Sequence, residues 1–159
     1  LTAFLASFTV GLFQSTIQKV VVLASVMSIV AGMGGNAGTQ TLSLMIRSIA
    51  LGKIQVRKEW QFLLKEFCLS LINGAVTGLV TGVTLYFYYH NFYLGLIIFI
   101  AMIGNLIIAG VFGYAIPILL KKVNIDPAIA SSIFLTTLTD VGGFFIFLML
   151  AKIFLPFLK

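Results

Sequence analysis

Apolar residues gather into five runs, at about 1 to 13, 17 to 51, 67 to 89, 92 to 120 and 127 to 151, parted by short polar stretches. None shows the apolar–polar alternation of a half-buried strand. Roughly 20 apolar residues carry a helix across a bilayer, and the last four runs reach that length. The first is too short to span. Leu1 lies inside apolar sequence with no Met before it, so the chain reads as a fragment whose first helix is truncated. Hydrocarbon offers no partner to an open N–H or C=O, which leaves the helix as the conformation for every run. The expected fold is an all-α membrane protein, a five-transmembrane-helix bundle forming one domain over residues 1–159.

Composition agrees. Hydrophobic residues make up 60% of the chain and charged residues 9%, against about 25% charged in soluble domains. The net charge is +6, but Lys and Arg stand at the ends of the runs. A nucleic-acid partner would need a clustered basic stripe, so lipid is the expected partner and nucleic acid is not. One loop holds Lys53, Arg57, Lys58 and Lys65, and another holds Lys121 and Lys122. The turn between the third and fourth runs holds His90 amid Tyr86, Phe87, Tyr88, Tyr89, Phe92 and Tyr93. Basic loops collect in the cytoplasm and aromatic rings at the interface. The expectation is a multi-pass protein of the inner (plasma) membrane, N-terminus cytoplasmic and C-terminus external, with Lys19, Lys152 and Lys159 running against it. No basic leader or small-residue cleavage site suggests a signal peptide, and the single Cys68 excludes an internal disulfide.

The interruptions carry the chemistry. Mid-way along the second run stands Gly32-Met33-Gly34-Gly35-Asn36-Ala37-Gly38-Thr39-Gln40. Small residues alone suit close helix packing. Asn36, Thr39 and Gln40 favour a polar pathway, since loosened or polar backbone at membrane depth survives only against protein or water. Gly74, Gly78 and Gly82 recur every four residues beside Asn73 and read as a packing ridge. In the fourth run Asn105 suits either the bundle interior or a hydrogen bond between helices, and Pro117 is expected to kink or end its helix.

The fifth run opens with Asp126-Pro127, a cap followed by proline in the first turn. Asp140 comes about 21 Å further along, near the run's centre. A carboxylate there costs at least ~2.5 kcal/mol. Ser132, Thr136, Asp140 and Gly143 share one helix face by their three-and-four spacing, a hydroxyl stripe ending at an acid. No basic residue lies at that depth, so the partner is a proton or a cation. Carboxylate, amide, hydroxyl and carbonyl oxygens suit hard cations such as magnesium and calcium, and the chain has no thiolate or imidazole cluster for a soft metal.

The run Gly34 to Thr41, the start Asp126-Pro127-Ala128 and the stretch Thr136-Thr137-Leu138-Thr139-Asp140-Val141 together resemble the MgtE magnesium transporters, in the family's order along the whole chain. The resemblance implies five helices per subunit, a homodimer, and a central pore lined by the second and fifth helices. It implies Mg2+ as the transported ion, held hydrated at Asp140, with Mn2+, Co2+ or Ca2+ as further candidates. Thr136, Ser132, Gly35, Asn36, Gly38 and Gln40, with Gly34, become the candidate metal-site lining. It also implies cytoplasmic N and CBS regulatory domains, absent from this chain, that close the pore when cytoplasmic magnesium is high. Ile133 departs from the pattern, because many members carry proline there. A proton- or sodium-coupled carrier and a non-transporting subunit stay open beside the channel. An enzyme is not expected. An aspartyl protease needs two carboxylates at one depth, which Asp126 and Asp140 on one helix do not supply, and His90 has no partner for a zinc site.

Overall fold

A computed structural model describes residues 2–52 and 59–158. They form α1 (Thr2–Gly11), α2 (Gln14–Lys19), α3 (Val22–Ala50), α4 (Glu59–Tyr89), α5 (Phe92–Lys122) and α6 (Pro127–Ile153), then a 3-10 turn at Leu155–Phe157. Among the described residues α3, α4, α5 and α6 are long and apolar enough to cross a membrane, α1 is a shorter apolar helix, and no strand occurs.

The first run breaks in two. Phe13, between α1 and α2, is buried and meets Phe145 edge-on at 5.8 Å. The chain turns so that this ring enters the core. α3 then runs unbroken through the glycine motif, as one helix. α4 begins eight residues before the expected 67, and the described part of the charged stretch that reads as a loop belongs to it. Lys53, Arg57 and Lys58 lie outside the described residues. Pro117 is buried inside α5, and the helix continues past it to Lys122.

α5 is the central helix, packed between α3, α4 and α6 and the most buried of the long helices, with Ile100 and Phe112 left on its open side. Its packing on α4 follows the glycine ridge. A methyl group on Gly74 would meet Ile103 Cα at 2.8 Å, one on Gly78 the Phe99 carbonyl at 2.9 Å, and one on Gly82 the Gly95 carbonyl at 2.7 Å. Each four-residue advance along α4 moves four residues back along α5, a strict antiparallel register. Small residues let the backbones touch, and dispersion across that contact is what joins helices in lipid. α6 is antiparallel to α5 too, because Gly104 meets Ile146 and Gly142 meets Ile108.

The C-terminal ends of α3 and α5 and the N-terminal ends of α4 and α6 therefore share one end of the bundle, where Lys121 and Lys122 are exposed. The other end carries the α4–α5 turn, with exposed His90 at φ 53°. Asn91 caps α5 by accepting the Leu94 N–H at 3.0 Å, and its Nδ2 reaches the Phe157 carbonyl at 3.4 Å. Tyr93 stacks on Phe157 at 4.6 Å. Lys121 and Lys122 thus mark one end and the aromatic cluster the other, which also carries exposed Lys19 and Lys152.

Candidate functional site

The motif on α3 has two faces. Gly34 and Gly38 are buried, whereas Asn36, Thr39 and Gln40 are exposed. A methyl group on Gly38 would press on Leu135 of α6 at 3.1 Å, and the Gly38 carbonyl lies against Gly113 of α5. Gly35 has nothing within 4 Å of where its Cβ would stand. Thr39 Oγ1 donates to the Gly35 carbonyl at 2.7 Å, and Ser43 Oγ to the Thr39 carbonyl at 2.8 Å. With Ser25, Ser28, Gly32 and Arg47, all exposed, these residues form a polar stripe along the length of α3, pointing away from the chain's own bundle. Asn36, Thr39, Gln40, Ser43 and Leu44 line an open groove of about 700 Å³ on it.

Gly34 serves a different purpose. Asn105, 0% exposed at the middle of α5, donates through Nδ2 to the Val30 carbonyl at 2.7 Å. Its side chain fills the gap between Gly34 of α3 and Gly143 of α6, and a methyl group on either glycine would collide with it. Its Oδ1 has no hydrogen-bond partner. Of the two roles open to Asn105, the bond between helices is the one observed.

On α6, Asp126 caps the helix by accepting the Ala128 N–H at 2.9 Å. Ser132 and Thr136 are exposed, Asp140 is half-buried and Gly143 is buried. The hydroxyl stripe is thus open from the basic end up to the carboxylate and closed above it, where Gly143, Phe147 and Ala151 are buried. Ser131 and Thr139 turn inward; Thr139 Oγ1 lies 3.1 Å from the Leu135 carbonyl, while Ser131 Oγ has no partner. Among the described residues nothing donates a hydrogen bond to Asp140, so no neighbouring helix of the same chain supplies the bond that a purely structural acid would use.

Helix register places these groups at one depth. Ile108 meets Gly142, so in the antiparallel α5–α6 pair Gly110 lies level with Asp140. Between Gly34 beside Asn105 and Gly38 beside Gly113, Asn36 falls at the level of Ala109 and Gly110. The amide of α3 and the carboxylate of α6 therefore share a plane.

A further acid at this level escapes a reading of the sequence. Glu66 of α4 is half-buried, and the exposed Lys65 next to it lies within a turn of the same level, contrary to the expectation that no basic residue reaches the depth of Asp140. Its Oε1 accepts the Thr41 hydroxyl at 2.8 Å and lies 3.3 Å from where a Gly110 Cβ would stand. Glu66 stands at the end of the charged stretch, and only the early start of α4 turns it inward. Gly110 faces α4 while Gly104, Asn105 and Ile108 face α6, so the α5 backbone separates Glu66 from Asp140 and the two cannot share a proton. Among the described residues no group of three or more His, Cys, Asp or Glu could hold a metal ion.

Residues 27–150 match the MgtE family, described as divalent cation transporters. The chain is 34% identical over 145 residues, 91% of its length, to the magnesium transporter MgtE of Enterococcus faecalis. It is 33% identical to the magnesium transporter MgtE of Bacillus subtilis over 92% of its length, and 29% identical to that of Thermus thermophilus over 98%. It spans about a third of the length of these relatives, covering 32%, 32% and 34% of them. With the family matched across the glycine motif of α3 and Asp140 of α6 alike, the chain belongs to the MgtE family of divalent cation transporters and is a multi-pass membrane protein.

Proposed function

We propose that this chain is the conducting part of a magnesium channel, through which hydrated Mg2+ moves down its electrochemical gradient past Asp140. The observation that carries the reading is the polar stripe of α3, level with Asp140 and turned away from its own bundle. Each exposed amide of Asn36 and Gln40 left without partners in hydrocarbon costs about 1–3 kcal/mol. A homodimer that sets two such stripes about a two-fold axis replaces lipid with water there, and two-fold oligomers are the commonest. It also brings two Asp140 carboxylates to one divalent ion.

Mg2+ sheds its water reluctantly and keeps several waters when bound. The path accordingly needs acceptors for a water shell. Ser132, Thr136, Asn36 and Gln40 supply them, Gly35 leaves room for the shell, and Gly38 holds α3 against α6. A negative interior favours entry of a divalent ion by about 4.6 kcal/mol per 100 mV, so no coupled ion is required. Mn2+, Co2+ and Ca2+ are the competitors, and cytoplasmic N and CBS domains of the full-length protein are the regulators in this reading.

Asn36→Leu is expected to lower Mg2+ flux into liposomes by about tenfold, as an acceptor level with the ion is lost, while the particle keeps the mass of two chains by native mass spectrometry. A conducting single chain, or unchanged flux in Asn36→Leu, sinks the proposal.

The basic end of the bundle is assigned to the cytoplasm. In a Cys68→Ser background, a membrane-impermeant maleimide added outside cells should label Tyr88→Cys, where the ring is 75% exposed, and spare Lys121→Cys. The opposite labelling inverts the topology.

A further inference from the structure

We infer that Glu66 is a second acid serving the ion path: a carboxylate held behind α3, level with Asp140, whose charge strengthens attraction for a divalent cation it never touches. The inference rests on the pore reading above.

Its placement carries the argument. Glu66 Oε1 lies against Gly110 and accepts the Thr41 hydroxyl, and Gly110 is level with Asp140 through the Ile108–Gly142 contact. Thr41 projects from the side of α3 opposite to Asn36, Thr39 and Ser43, at 100° per residue. The carboxylate is therefore one helix diameter, about 10 Å, from the polar groove. Among the described residues no cation pairs with it.

Local packing is built around this acid. Gly110 leaves out the side chain that would meet Ser70 and Glu66 Oε1, Ser70 is 5% exposed beside it, and Thr41 is held from below by Gly113. A packing role alone would be filled by an apolar residue without the cost of bringing an acid into the bundle. A charge facing a low-dielectric wall acts at long range, because neither water nor salt screens it across the helix.

The test is Mg2+ uptake by the protein in liposomes, read as KM and maximal flux. Glu66→Gln keeps the shape and an acceptor for Thr41 and removes only the charge. Its KM for Mg2+ should rise by roughly a hundredfold, the order expected for one unit charge about 10 Å from a divalent ion at an effective dielectric of about 20, with maximal flux and thermal unfolding near the parent's. Glu66→Asp, which keeps the charge, should hold the KM within about twofold of the parent, and so should Thr41→Val, which removes the hydrogen bond but not the charge. A parental KM in Glu66→Gln overturns the inference, as does a Thr41→Val that copies the Glu66→Gln defect, since that pattern marks a neutral latch. Should Glu66→Gln not fold, Glu66→Met, which removes the charge at similar volume, should raise the KM to the same extent, and a parental KM there overturns the inference. Asp140→Asn run alongside keeps the two ideas apart. Lost flux there with a parental Glu66→Gln overturns the inference alone, whereas parental flux in Asp140→Asn overturns the pore reading beneath it.

Discussion

Asp140→Asn is expected to abolish Mg2+ uptake in cells that lack other magnesium importers, and Asp140→Ala to do the same. The asparagine keeps the size of the side chain and its capacity to hydrogen-bond; only the charge goes. Across one intervening water, about 5 Å, a unit charge attracts a divalent ion by roughly 7 kcal/mol at an effective dielectric of 20, enough to change flux by several orders of magnitude. No group among the described residues replaces it, because Glu66 lies beyond the α5 backbone and the stripe above Asp140 is closed by Gly143 and Phe147. The measurement is growth and metal content at low external magnesium, with membrane levels of each variant checked by immunoblot. An asparagine variant that grows like its parent removes the carboxylate from the ion path.

The second large effect is steric. Gly34→Ala places a methyl group into the Asn105 amide, with Cγ 2.7 Å from it. Asn105 is held by Val30 on one side and Gly143 on the other, so it has nowhere to turn. Overpacking of this kind costs about 1–3 kcal/mol, and here it also separates α3 from α6 at the depth of Asp140. Thermal unfolding in detergent should show the loss, accompanied by reduced flux. Asn105→Ala alone should also destabilise, since it empties the junction and leaves the Val30 carbonyl without its second donor. Combining the two lets the new methyl group occupy vacated space, so the double variant should be more stable than the sum of the single losses by about 1–2 kcal/mol. Strict additivity would mean that the two positions do not touch.

Much of this was legible before any coordinates. Hydrophobic run length is a direct consequence of bilayer thickness, which is why four spans fall close to the expected positions. Gly74, Gly78 and Gly82 announce their own packing, because a period of four can serve only one helix face. Asp140 stands out because charge is rare at that depth. The acid Glu66 did not stand out, for the converse reason. It follows Lys53, Arg57, Lys58 and Lys65, and a run of charges reads as solvated loop; nothing local says that α4 begins at Glu59 and carries Glu66 inward. The division of the glycine motif was hidden as well. Gly34, Gly35 and Gly38 are chemically alike, and whether each meets Asn105, open space or Leu135 depends on helices distant in sequence. Glycine is costly in an isolated helix, but close approach to α5 and α6 offsets that cost and keeps the helix regular.

The contact between α4 and α5 has a mechanical meaning. Ile103 Cα and the carbonyls of Phe99 and Gly95 meet the glycine ridge directly, and a backbone atom has no rotamer to swing aside. Sliding or tilting one of these helices against the other means climbing over main chain at three successive turns. By contrast, α6 rests on α5 through Ile146 and Ile108, and on α3 through Leu135, all branched side chains with alternative rotamers. The molecule is thus stiff in one half and compliant in the other. A change of pore width would leave the α4–α5 hairpin as a fixed frame and be taken up by α6, the helix that carries Asp140, shifting over its isoleucines and leucine.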